Sequence, residues 1–126
     1  MAASYFRAVN ETRGRTLCER LEVAATMAEQ SRGLLGRQDL GAGNGMLFKA
    51  GGFTPFMWMH MFFMRFAIDI VFLDKRGVVT RINHELKPWR VSSFVFGARQ
   101  ALELREGAAS RADTQIGDQI RIDPLP

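Results

Sequence analysis

A chain of 126 residues with 47% hydrophobic and 24% charged residues has the size and composition of one folded domain, which excludes global disorder. Its lone cysteine, Cys18, excludes an internal disulfide, and no Cys/His spacing describes a zinc site. The net charge of +4 does not point to a dedicated nucleic-acid binder, because the densest basic group, Arg7, Arg13, Arg15 and Arg20, is diluted by Glu11, Glu19 and Glu22.

Residues 1–126 read as a single domain, with residues 1–16 expected as a loosely ordered N-terminal extension. That opening holds no apolar run long enough for a signal peptide, which suits a cytoplasmic protein. Residues 17–25 alternate apolar and polar as an exposed strand does. Thr26 followed by Glu29 is a capping-box pattern, and Met27, Leu34 and Leu35 fall at helical spacing, so a short helix is expected over 26–37. A Gly-rich connection, 41–45, leads to a short apolar strand at 46–48, and Gly51 and Gly52 turn the chain.

Residues 53–73 are long enough to cross a bilayer. Arg65 and Asp69 lie inside that run, however, and each costs about 2.5–3.5 kcal/mol at mid-membrane. The run therefore divides into strands at 56–63 and 68–73, with a bend near 64–67. Asp74, Lys75, Arg76 and Gly77 form a hairpin turn into a strand at 78–82. Pro88 marks 86–90 as a loop or edge element, and 91–96 reads as another strand. Residues 98–104 alternate as a half-buried strand, which would place Glu103 on the solvent face. A short helix at 106–113 and a last strand at 119–122 complete the expectation. The fold class is α+β: a compact, strongly bent antiparallel or mixed sheet, partly open and barrel-like, with one or two short helices.

Met57, Met59 and Met61 share one strand face, with Met64 close behind. Thioethers with His60 could hold Cu(I), but flexible methionines filling an irregular core is the reading adopted. His60, Arg65 and Asp69 are the polar residues inside the apolar run. A buried Arg65–Asp69 pair is the structural reading, and an anion anchor at Arg65 is the functional one. Cys18 has no nearby His, and no phosphate loop, dinucleotide fingerprint or nucleophile elbow occurs, so no cofactor and no metal site are implied.

Several pieces in order carry a family resemblance: residues 32–37 (RGLLGR), 45–48 (GMLF), His60 with 62–66 (FFMRF), and 68–74 (IDIVFLD). They are followed by 88–90 (PWR), 101–104 (ALEL) with Gly107, and Gly117 with Asp118. Over nearly its full length the chain resembles domain-of-unknown-function family 192. Met61 stands where the family often has Thr, and Ala67 where it often has Pro. The resemblance implies a strongly curved β-rich domain and transfers no activity.

The residues themselves leave three readings. In the first, His60, Arg65, Trp89 and Arg90 line a cleft of a noncatalytic module for a small anionic or polar ligand, with Asp69 orienting Arg65. In the second, a hydrolase or lyase uses His60 as general acid/base with Asp69 as its orienting carboxylate. In the third, an exposed Phe or Trp patch docks a protein partner or a second copy.

Overall fold

Alternating and β-branched segments condense into nine strands among the residues described by the computed structural model, which are 5–24, 40–51 and 55–126. They are β1 (Tyr5–Asn10), β2 (Arg15–Val23), β3 (Asn44–Lys49), β4 (Phe56–Met57), β5 (Ile68–Leu73), β6 (Val79–Leu86), β7 (Val95–Phe96), β8 (Gln100–Arg105) and β9 (Ile120–Pro124). One short helix, α1 (Ala108–Arg111), follows β8. Seven strands form one sheet in the order β6-β5-β8-β3-β2-β1-β9, while β4 and β7 pair separately. Within the large sheet only β2 and β3 run parallel.

The sheet curls far enough for its two ends to meet. Val78 bridges Gln119, the Val79 amide donates to the Asp118 carbonyl at 2.9 Å, and the Ile120 amide donates to the Gly77 carbonyl at 2.9 Å. The result is a half-barrel whose inside is packed by Leu17, Leu21, Leu47, Val71, Leu73, Leu102 and Leu104. A second apolar layer covers the outer face of the central strands and comprises Met46, Phe48, Ile68, Ile70, Phe72, Met57, Met61 and Met64. Strands β3, β5 and β8 are thus buried on both faces, which is why β5 reads IDIVFL without polar alternation.

This architecture amends several expectations. With one four-residue helix among the described residues, the domain is close to all-β rather than α+β. The helix expected at 26–37 lies outside the described residues. Tyr5–Asn10, expected within a loose extension, is instead a strand held between β2 and β9. Its last residue, Asn10, is fully buried and donates to Asp118 Oδ2 at 2.9 Å, which also receives the Arg13 Nε–H at 3.1 Å and the Gln115 amide at 2.9 Å. Burial alone would raise the Asp118 carboxyl, but these donors, Arg13 foremost, hold it below its ordinary value. The strands expected at 56–63 and 91–96 shrink to Phe56–Met57 and Val95–Phe96, because irregular turns replace the ladder beyond them. No helix among the described residues is long and apolar enough to cross a membrane.

Candidate functional site

Between β4 and β5 the sequence reads Phe-Met-Trp-Met-His-Met-Phe from 56 to 62, a strict alternation of aromatic rings and methionines. Extended chain sends alternate side chains to opposite faces, so this heptad separates into two sets. Met57 and Met61 are buried and Met59 packs beside them, all against the outer face of β3, β5 and β8. The even positions Phe56, Trp58, His60 and Phe62 turn outward. The copper reading gives way to packing here: the methionines fill the gap between an irregular segment and the outer face of the sheet.

Residues 89–96 run antiparallel to this segment and hold it in place. Phe56 pairs with Phe96 and Met57 with Val95, and His60 bridges Val91. The Met61 amide donates to the Arg90 carbonyl at 2.8 Å, and the Trp89 amide donates to the Met61 carbonyl at 2.7 Å. Ser92 closes the ribbon: its hydroxyl accepts from the Met59 amide and its amide donates to the Met59 carbonyl, both at 2.8 Å.

The outward rings of the two segments form a continuous ladder. Phe96 lies 5.5 Å from Phe56, Phe56 5.7 Å from Phe94, and Phe94 5.5 Å from Trp58, centroid to centroid. Trp58 continues at 6.3 Å to His60, which stacks on Phe62 at 4.8 Å; Phe62 meets Trp89 at 6.3 Å, and Trp89 meets Phe63 at 4.7 Å. These rings are not core. Phe96 is 74% exposed, Phe63 67% and Trp89 59%, and every large exposed hydrophobic among the described residues except Ile116 belongs to this ribbon.

Two turns present the far end of the ladder. The Arg90 amide donates to the Lys87 carbonyl at 3.3 Å, with Pro88 second and Trp89 third at φ 67°. The Met64 amide donates to the Met61 carbonyl at 3.2 Å, with Phe63 third at φ 65°. The third position of a turn with positive φ there normally takes Gly, because a Cβ is strained. Here both positions carry large aromatic side chains, and their rings meet over solvent.

The basic residues follow the rings. Arg65, Lys87 and Arg90 are exposed, and the sequence has no Asp or Glu at 40–68 or 86–102. Of the residues expected to converge, His60 and Trp89 are joined through Phe62, Arg90 lies in the same ribbon, and Arg65 follows two residues after Phe63. His60, Trp89 and Arg90 are exposed on the ribbon, and Arg65 is exposed just beyond it. Phe62, Phe63, Phe94 and Phe96 also belong to this surface, although the sequence reading assigns them no site role. The signal for Phe62 was the even-numbered half of the alternation whose odd half carries the methionines.

Asp69 is not part of this group. Its parity puts it on the inner face of β5, opposite the ribbon, and it is 0% exposed. Its Oδ1 accepts from the Glu85 amide at 2.9 Å and its Oδ2 from the Ala109 amide at 3.0 Å. That fastens α1 and the irregular end of β6 to β5. Asp69 therefore neither pairs with Arg65 nor orients His60, whose Nδ1 accepts from the Phe62 amide at 3.3 Å. His60 and Asp69 form no acid/base pair, since the sheet stands between them.

The remaining chemically notable groups are buried. Cys18 is shielded inside the barrel with Sγ 3.3 Å from the Gly43 carbonyl, and burial pushes its thiol up to about 11, which makes it a poor nucleophile. Glu103, expected on the solvent face, is buried with Oε2 lacking a hydrogen-bond partner among the described residues, and burial raises its carboxyl to about 8. No cluster of His, Cys, Asp and Glu among the described residues has a metal-holding arrangement.

Comparison with known proteins agrees with this architecture and supplies no activity. The chain is 29% identical over 113 residues to a UPF0127 protein of Thermococcus sibiricus, spanning 89% of this chain and 71% of that one. It is 26% identical to a UPF0127 protein of Pyrococcus abyssi over 89% of this chain and 93% of the relative. A crystal structure of a protein of unknown function from Novosphingobium aromaticivorans superposes with a TM-score of 0.75 at 26% identity, covering 93% of this chain and 83% of that one. A Sinorhizobium meliloti crystal structure shares the fold with a TM-score of 0.78 at 24% identity, over 96% and 94% of the two chains. The family model of DUF192, described as Uncharacterized ACR, matches residues 8–122, and the chain belongs to that family.

Proposed function

We propose that this domain is a noncatalytic binding module that receives an anionic partner on the aromatic ladder and its basic border. The observation that carries the reading is the placement of Phe63 and Trp89. Left-handed backbone costs a non-glycine residue about 1–2 kcal/mol, and neither ring is buried in return. Strain held without a packing gain is a feature of binding sites, where it fixes groups that meet a ligand.

The polar inventory favours recognition over bond cleavage. Arg65, Lys87 and Arg90 offer donors and positive charge, His60 is committed to the ladder, and the Asp69 carboxylate is engaged behind the sheet. Aromatic faces beside guanidinium groups suit a ligand with both an apolar surface and negative charge.

The test uses the two tryptophans of the chain, Trp58 and Trp89, both in the ladder, so intrinsic fluorescence reports on this surface alone. A panel of anionic compounds is screened for a change in that emission, and each hit is titrated against Arg65→Ala and Arg90→Ala. Weaker binding by at least about tenfold per variant is expected, as for loss of a charge-assisted contact. Unchanged affinity in both variants removes these residues from the site.

A further inference from the structure

Resting on the reading above, we infer that the partner of the ladder is an anionic lipid surface, which the rings enter as a peripheral wedge. Three features separate this occupant from other polyanions.

The first is ring chemistry. Phe56, Phe62, Phe63, Phe94 and Phe96 have no polar atom with which to read a base edge or a sugar hydroxyl. Burial in an apolar medium is the interaction open to them. The two tryptophans add the ring type enriched where hydrocarbon meets head groups.

The second is ring orientation. A single-stranded nucleic acid binds aromatic residues that offer separate faces to successive bases. In the ladder the rings lean on one another with neighbouring planes tilted by 31° to 62° apart from the His60–Phe62 stack at 20°, so they do not offer a series of parallel faces to successive bases. What remains exposed is a ragged apolar ridge, which suits the interior of a lipid head-group layer.

The third is charge. Arg65, Lys87 and Arg90 flank the ridge where the Phe63 and Trp89 turns project, and the two segments that build it contain no carboxylate. Each basic side chain held at an anionic membrane raises affinity about fivefold, so the three together contribute about 100-fold. A neutral apolar partner would gain nothing from this border. The wedge is peripheral, since the ridge belongs to a ribbon fixed to the sheet by the buried methionines.

The experiment mixes the whole chain with vesicles of phosphatidylcholine alone or with about one-third phosphatidylglycerol, and reads tryptophan emission and co-sedimentation. With anionic vesicles a blue shift, quenching by bromine-labelled acyl chains and co-sedimentation that falls with added salt are expected. Phe63→Ala with Phe94→Ala keeps both tryptophans and should lower vesicle affinity at least tenfold. Lys87→Ala with Arg90→Ala should lower it about 25-fold, and only for anionic vesicles. Both pairs are exposed, and unchanged melting temperatures identify the losses as binding losses. Equal binding to neutral and anionic vesicles overturns the inference. So does a tryptophan response to oligothymidine or heparin without one to vesicles, although the binding-module reading then stands. Sedimentation showing that a second copy covers the tryptophans also overturns it. Silence toward every anion overturns both.

Discussion

Glu103 occupies the middle strand of the half-barrel, register-paired with Ile70 on one side and Met46 on the other. It shares parity with Ala101 and so faces the methionine layer, where nothing among the described residues meets its Oε2. Its carboxyl is raised by burial from an ordinary 4.5 to about 8. The sign of the consequence follows from proton counting. Below pH 4.5 both folded and unfolded chains hold the proton, and the group adds no pH dependence. Between 4.5 and 8 the unfolded chain has released the proton while the folded chain keeps it, so stability falls as pH rises. The slope approaches 1.4 kcal/mol per pH unit, as expected for one proton, and vanishes above 8. Glu103→Gln removes this loss, because an uncharged amide has no ionisation penalty. Urea midpoints at pH 5, 6.5 and 8 should decline in the wild type and stay flatter in the variant. Parallel declines would show that Glu103 has a partner or solvent contact that keeps it near its ordinary value. The alternation of 98–104 gave the strand but not the burial of Glu103. Only the ribbon crossing the outer face, whose methionines come from some forty positions earlier, turns that face into a second core.

At the scale of elements, the two turns of the ribbon set folding against display. Trp89 and Phe63 hold positions where Gly is the relaxed choice. Comparing Trp89→Gly with Trp89→Ala separates backbone strain from the loss of the ring, since both variants lose the same contacts. Away from positive φ, Gly is the less stable of the two by about 0.5–1 kcal/mol. Here the order should reverse, with the Gly variant more stable by about 1 kcal/mol in thermal or urea unfolding. Both variants should bind less well. If Ala is the more stable, the turn is unstrained and the case for a purposeful display of Trp89 fails. The sequence made much of this region legible: the hairpin at Asp74 to Gly77, the Pro88 loop, the strand at Ile68–Leu73 and the shared face of Met57, Met59 and Met61 all appear. It could not reveal that 56–62 and 89–96 form a ribbon rather than full strands. That depends on irregular bonds such as Met61 to Arg90 and Ser92 to Met59, which no local pattern encodes. Arg65 and Asp69 were legible as unusual within an apolar run, but their separation depends on Asp69 meeting amides from β6 and α1.

The whole molecule depends on bringing together strands remote in sequence. β1 takes its place between β2 and β9, and the far edge of the sheet returns to β9 through the turn after β5 and the first residue of β6. Closure is concentrated at Gly77, whose carbonyl receives the Ile120 amide and whose φ is +81°. A Cβ at Gly77 would lie 2.8 Å from the Ile120 carbonyl oxygen, and backbone there cannot yield without parting the two edges. Gly14 provides the matched control. It also has positive φ, +66°, yet a Cβ there meets nothing within 4 Å. Gly14→Ala therefore measures the conformational penalty alone, about 1 kcal/mol, whereas Gly77→Ala adds the cost of breaking closure. The difference between the two, read by urea unfolding, should be about 1–3 kcal/mol in the direction of a weaker Gly77 variant. Hydrogen exchange locates that loss. In Gly77→Ala the amides of Val79 and Ile120, which bond across the seam, should exchange faster, while those of the central strand β8 keep their protection. Equal costs for the two substitutions would mean that the contact between β9 and the Gly77 turn adds nothing to stability, and that the curled sheet is held by its two apolar layers alone.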